Sequence, residues 1–192
     1  MPDVPDVPDV PAGVTGAWAR FCPVPWPHGP AQQHAAGRHA AAAALHAAGA
    51  GPRAHHVPRG PGGRPLFPPG YPGSISHTDR LAVAVVVPGA RAVGTDLENA
   101  AIAPRVAGFV LAGPERHRLL EPAGPYTPRE LFAAKEAAFK AMHTTGAPEG
   151  LLFWQIRLAR HAGTLTASHH GRRVPVWVRS TADLSFAVAV RR

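Results

Sequence analysis

Two short stretches hold residues whose types and spacing can do chemistry. In LFAAKEAAFKAM (131–142), Glu136 and Lys140 stand four apart; in RAVGTDLE (91–98), Asp96 and Glu98 stand two apart. Four residues is about one helical turn, so Phe132, Glu136 and Lys140 share a helix face. Two residues is one strand repeat, so Asp96 and Glu98 project from one strand face, roughly 6.5–7 Å apart at the backbone. Two such carboxylates can ligate a hard divalent cation that phosphate oxygens and water complete. The plain alternative is a solvated acidic strand face and an exposed i,i+4 Glu–Lys pair.

Lysine usage favours the chemical reading. Only Lys135 and Lys140 are lysine among the 20 residues that are Lys or Arg, and they lie within six positions of each other. In a chain that otherwise uses arginine, this points to sites that want a compact ammonium and not a planar fork. Further candidates lie upstream. Arg38, in AGRHAAAAAL, is a solubilising residue or a phosphate clamp. Arg64, in GRPLFP, can reach a ligand from a long Gly/Pro-rich loop. Ser76 and His77 end GSISH; adjacent side chains in extended chain face opposite ways, so they are no hydrolase dyad, and a polar loop anchoring a phosphate fits better.

The elements that must position these residues are legible. Thr127 can cap a helix, Pro128 fits its first position, and Glu130 completes a capping box. That predicts a helix from Pro128 to about His143, with Gly146 a plausible stop. An Ala-rich helix is expected over Ala31–Ala48, stopped by Gly49, after an irregular packed segment at 17–30. A strand is expected at 81–87, with 91–98 as its hairpin return after Pro88-Gly89-Ala90. Short helical pieces follow at 105–111 and 114–120, then strands at 152–160, 163–168, 174–179 and 184–190 with hairpin spacing. The ending DLSFAVAV resembles DRLAVAVVV at 79–87. The fold class expected is α+β: two pseudo-symmetric halves, each a helix on a small, mainly antiparallel sheet, meeting near Asp96–Glu98. Residues 13–98 form the N-terminal half and 99–192 the C-terminal half. Residues 1–12, with Pro-Asp-Val three times, form a disordered or polyproline-like leader.

Composition narrows the class. The 192 residues are 45% hydrophobic without an apolar run near twenty, and the Pro- and Asp-rich start, with no basic or apolar region, leads us to expect no secretory signal. Cys22 is the only cysteine, which excludes an internal disulfide and a Cys-based zinc site. A cytoplasmic location is expected. The formal charge of +8 suits a phosphorylated small molecule or an acidic protein. The arginines are scattered, which argues against nucleic acid. His55-His56 and His169-His170 read as solvated loop histidines.

Taken together and in order, GRHAAAAAL, GRPLFPPGYPGSISH, VGTDLE and LFAAKEAAFKA resemble the motifs of 4′-phosphopantetheinyl transferases of the surfactin/enterobactin-synthetase type. The resemblance spans roughly residues 37–142, and its last two motifs are the most specific. It implies coenzyme A bound between two α+β halves. It implies that Asp96, Glu98 and Glu136 hold Mg²⁺ against the pyrophosphate, and that Arg38, Arg64, Ser76 and His77 hold nucleotide phosphates. Lys140 would neutralise the departing 3′,5′-ADP, and Glu136 would be the base, directly or through a water. The acceptor would be a serine of an apo acyl or peptidyl carrier protein; fatty acid, polyketide, nonribosomal peptide and siderophore pathways all stay open. One departure stands out: the basic residues that precede the Gly-Arg motif in many relatives reduce here to His34, unless Arg20 reaches over. Two halves in one chain complete the site, so a monomer is expected. The alternatives are a non-catalytic coenzyme A or carrier-protein binder, and a basic nucleic-acid module.

Overall fold

The computed structural model describes residues 7, 9–11, 13–143 and 151–192. The leader expectation falls mostly outside them, as does Gly146. Val7 and Val10, which are described, are half-buried against the core.

Among the described residues, eight strands and four helices fall into two groups. The first holds β1 (Trp18–Pro23), α1 (Pro30–Ala47), β2 (Gly73–His77) and β3 (Leu81–Val86). The second holds β4 (Ala92–Glu98), α2 (Pro104–Val110), α3 (Gly113–Leu119), α4 (Pro128–Met142), β5 (Arg157–His161), β6 (Thr164–His169), β7 (Arg172–Ser180) and β8 (Ser185–Arg191). The strands form a three-stranded sheet, β1-β3-β2, and a five-stranded sheet, β4-β8-β7-β6-β5, with every ladder antiparallel. The fold is thus α+β, in two helix-on-sheet halves.

β3 and β8 are buried on both faces, which is why LAVAVV and SFAVAV read as continuous apolar runs. Ala84 and Val86 of β3 meet Ala40, Ala41, Ala44 and Leu45 of α1. Leu81, Val83 and Val85 turn the other way, onto Val93, Leu97, Phe186 and Val188 of β4 and β8. Ala187 and Ala189 pack under Ala133, Ala134, Ala137 and Ala141 of α4. Alanine on both helices keeps their axes close to the sheets.

The start of α4 follows the sequence pattern. The Thr127 hydroxyl accepts from Glu130 N at 3.3 Å, and Glu130 Oε2 accepts from Thr127 N at 2.8 Å. Arg129 clamps that end to the β7–β8 turn, donating to Ser185 Oγ, Thr181 O and Ala182 O. The helix stops at Met142, capped by His143.

The structure corrects four expectations. Residues 18–23 form a strand, because β3 offers an edge and the lone proline within those residues closes the strand. Ser76 and His77 lie in β2 and not in a loop, since Gly73–His77 fills the other edge of β3. Both edges of β3 being taken, β4 cannot return as its hairpin partner; it pairs with β8 and joins the C-terminal strands. The expected strand at 152–160 opens as a 3-10 turn, Phe153–Gln155, and its strand starts at Arg157.

Candidate functional site

The site lies on the seam where β2 runs beside β4. Gly94 decides how close α4 comes to that seam: a Cβ there would sit 1.9 Å from Ala137 O and 2.7 Å from Ala141 N. Only glycine allows such an approach. It brings Lys140, one residue before Ala141, directly over Asp96, two residues after Gly94.

Lys140 Nζ donates to Asp96 Oδ1 at 2.8 Å, to Thr95 O at 2.9 Å and to Ser76 Oγ at 3.3 Å. An ammonium has three donors, and all three are engaged. Asp96 is 7% exposed and Ser76 also 7%. The Ser76 hydroxyl donates to Asp96 Oδ1 at 2.9 Å. The expected role of Ser76 as a phosphate contact thus meets a buried hydroxyl turned toward Asp96.

Glu136 stands one turn before Lys140 and is half-buried; among the described residues no group hydrogen-bonds it. Burial, and then the Asp96 carboxylate, push its carboxyl above the usual range; Lys140 pulls it down and Glu98 adds to the rise. Glu98 is turned partly into its own backbone, its Oε1 accepting from Ala100 N at 2.8 Å. Among the described residues no three His, Cys, Asp or Glu side chains are already gathered as a metal-holding group. The donors are nevertheless of the kind a hard divalent cation takes: Glu136 and the second oxygen of Asp96 accept no hydrogen bond among the described residues. The like charge felt by Glu136 is what a bound cation would relieve.

Two cavities flank the seam and share Pro65 and Ile75. One, of about 320 Å³, is lined by Arg38, Arg59, His34 and His77. Burial, then Arg38, Arg59 and His77, hold His34 below its usual basicity, as expected where cations crowd without an anion between them. Arg38 donates to Val57 O and Pro58 O, fixing the loop that delivers Arg59. The other cavity, of about 510 Å³, is lined by Leu66, Phe67, Val93 and Phe139 with Arg64 and Lys140 at its polar edge. Arg64 reaches across from the N-terminal loop to α4, donating to His143 O at 2.6 Å and engaging the His143 ring.

The predicted residues therefore divide. Ser76, Asp96 and Lys140 touch one another, with Glu136 beside them. Arg38 and His77 line the first cavity, and Arg64 the second. Arg20 stays at home, donating to Ala19 O. Arg59 was missed; its Gly/Pro-rich surroundings give no periodicity, and only the loop's path shows it facing Arg38. The two lysines take different places. Lys135 is fully buried, donating to Glu115 Oε2 at 3.0 Å and Val110 O at 2.7 Å, and it holds α3 against α4. The histidine pairs stay outside the site: His55 bonds Ala50 O, and His169, expected in a solvated loop, instead ends β6 with its Nε2 buried and without a hydrogen-bond partner among the described residues.

The fold and site define a two-half α+β protein with a cation-lined cavity opening beside paired carboxylates, an arrangement suited to phosphoryl groups. Residues 31–87 match the family model described as the 4′-phosphopantetheinyl transferase N-terminal domain. The matched stretch runs from α1 through β3 and carries Arg38, Arg59, Arg64, Ser76 and His77, so over these residues the chain is similar to that N-terminal domain. No curated protein matches the chain. Among the described residues, no helix is long and apolar enough to cross a membrane.

Proposed function

We propose that the protein transfers the 4′-phosphopantetheine arm of coenzyme A to a serine of an apo carrier protein, releasing 3′,5′-ADP, as a surfactin/enterobactin-synthetase-type enzyme. The observation that carries this reading is the neighbourhood of Lys140. A cation-lined cavity, an apolar cavity and the carboxylates Asp96 and Glu136 all meet the same seam. Coenzyme A needs each: cations for its nucleotide phosphates, apolar wall for its pantetheine chain, and a charge-balancing centre for its pyrophosphate.

In the reaction, the serine Oγ attacks the phosphorus that bears pantetheine. The bond from that phosphorus to the bridging oxygen breaks, and 3′,5′-ADP leaves with the bond's electrons. Arg38, Arg59 and His77 bind the nucleotide phosphates by charge-assisted hydrogen bonds. Glu136 takes the serine proton at its carboxylate, directly or through a water. Lys140 faces the leaving group as a fixed positive charge. Asp96, Glu98 and Glu136 would hold Mg²⁺, which supplies charge neutralisation across the pyrophosphate. The net charge of +8 steers both a polyanionic coenzyme and an acidic carrier protein to the seam. On this reading the protein works as a monomer, because both halves of the site come from one chain.

The test is intact-mass spectrometry of a panel of apo carrier proteins incubated with the protein, coenzyme A and Mg²⁺. A gain of one phosphopantetheine arm, lost with chelator, supports the reading. Coenzyme A binding without transfer on any carrier would favour a non-catalytic binder. Neither binding nor transfer would overturn both.

A further inference from the structure

The two sheets meet along β2 and β4 without a shared backbone ladder. β4 is the edge of its sheet; Gly94 and Asp96 face α4, and one backbone edge of the strand bonds β8. That leaves the amides of Thr95 and Leu97 pointing at β2. Both are buried, so both need acceptors. Serine hydroxyls supply them: Ser74 Oγ accepts from Thr95 N at 3.1 Å, and Ser76 Oγ from Leu97 N at 3.2 Å. The two contacts advance together along both strands, so β2 and β4 run parallel, bridged by side chains in place of a ladder.

Ser76 does more than close that edge. Its oxygen accepts from Leu97 N and Lys140 Nζ and donates to Asp96 Oδ1. This fills the hydroxyl's capacity of one donor and two lone pairs. It lines neither cavity of the site, whereas its neighbour His77 lines the cation-rich one. A hydroxyl so committed has nothing left for a phosphate.

We infer that Ser76 is a positioning residue, which ties the N-terminal half to the Asp96–Lys140 pair and fixes which oxygen of Asp96 faces the reacting centre. Oδ1 is held by Lys140 and Ser76 together, so Oδ2 is the oxygen left to act. Of the three partners of Lys140, Ser76 is the most distant, and it is the contact the ammonium gives up most easily when an anion arrives. The inference rests on the proposed transfer for its kinetic consequence, and on the seam alone for its structural one.

Two measurements test it on Ser76→Ala and Ser76→Thr in the full-length chain. The first is amide hydrogen exchange at Leu97, which needs no activity. Exchange there speeds up at least tenfold in Ser76→Ala and returns toward wild type in Ser76→Thr, which keeps the hydroxyl. Unchanged exchange overturns the inference. The second compares kcat with the calorimetric coenzyme A Kd. Misplacing Asp96 and Lys140 lowers kcat by about 10- to 100-fold while Kd stays within a factor of three. A raised Kd with kcat preserved would make Ser76 a ligand contact and sink the positioning role. Wild-type protein that transfers nothing while Leu97 exchange responds as expected would reject the proposed function and leave the seam assignment standing.

Discussion

Lys140 Nζ and Asp96 Oδ1 stand 2.8 Å apart, joining a residue of α4 to one of β4 across the line where the two halves meet. The pair is partly buried, with 31% of the lysine side chain and 10% of the aspartate side chain exposed. A compact ammonium fits among Asp96, Ser76 and Thr95 O. A guanidinium is planar and wider, and its donors diverge. Lys140→Arg should therefore cut transfer at least tenfold without unfolding the protein, read as initial rate beside a thermal melt. Wild-type turnover in that variant would remove the argument.

Gly94 sets the closeness of helix and strand. Adding a methyl group drives it into the α4 backbone at Ala137 and Ala141, where no side chain can move aside. Gly94→Ala should lower stability by about 1–3 kcal/mol or more, as overpacking does, seen as a reduced denaturation midpoint. Transfer should fall further than the loss of folded protein explains, because Lys140 and Glu136 ride on the displaced helix.

Glu136 carries a pH signature. Burial and then Asp96 hold its carboxyl above its ordinary 4.5 in the fold, with Glu98 adding and Lys140 opposing. A group with a raised folded value binds its proton more tightly folded than unfolded. Its contribution is fully present below the unfolded value and is lost as pH rises through the folded one. Ionised Glu136 thus weighs against the metal-free fold at neutral pH. In chelator, Glu136→Gln should melt higher than wild type at pH 7, with the difference shrinking as pH falls toward 4. Transfer by the same variant should be abolished. A lower melting point at pH 7 would contradict the electrostatic reading.

Arg59 probes the cation-lined cavity with less structural cost than Arg38, since it makes one exposed contact, to Gly63 O, whereas Arg38 holds the loop through Val57 O and Pro58 O. Arg59→Gln should weaken coenzyme A binding about tenfold, the scale of one charge-assisted hydrogen bond. The binding should also become less salt-sensitive. Calorimetry at two ionic strengths checks both.

Lys135 should behave as a structural residue. Glu115 accepts from Lys135, Ala112 N and Leu158 N, so it gathers α3, α4 and β5 at one buried carboxylate. Lys135→Met leaves that charge without its counterion and should cost about 3–5 kcal/mol in denaturant unfolding. Coenzyme A affinity of the folded fraction should stay the same.

The sequence by itself determined the parts that depend on neighbours along the chain. The Thr127–Glu130 capping box, the alanine face of α1, the hairpins of β6–β8 and the shared face of Gly94, Asp96 and Glu98 follow from local spacing, and spacing survives folding. Glu136 and Lys140 were legible for the same reason, since one helical turn relates them. What only the tertiary structure decided is which strand pairs with which, because an edge is available or taken only once every strand is placed. β4 left its hairpin for β8 because β1 and β2 had filled both sides of β3. That choice set β4 beside β2 and turned Ser76 from a loop hydroxyl into a buried partner of Asp96. It also separated two lysines that look alike in sequence: Lys140 came to the seam, while Lys135, on the other side of α4, was buried against Glu115.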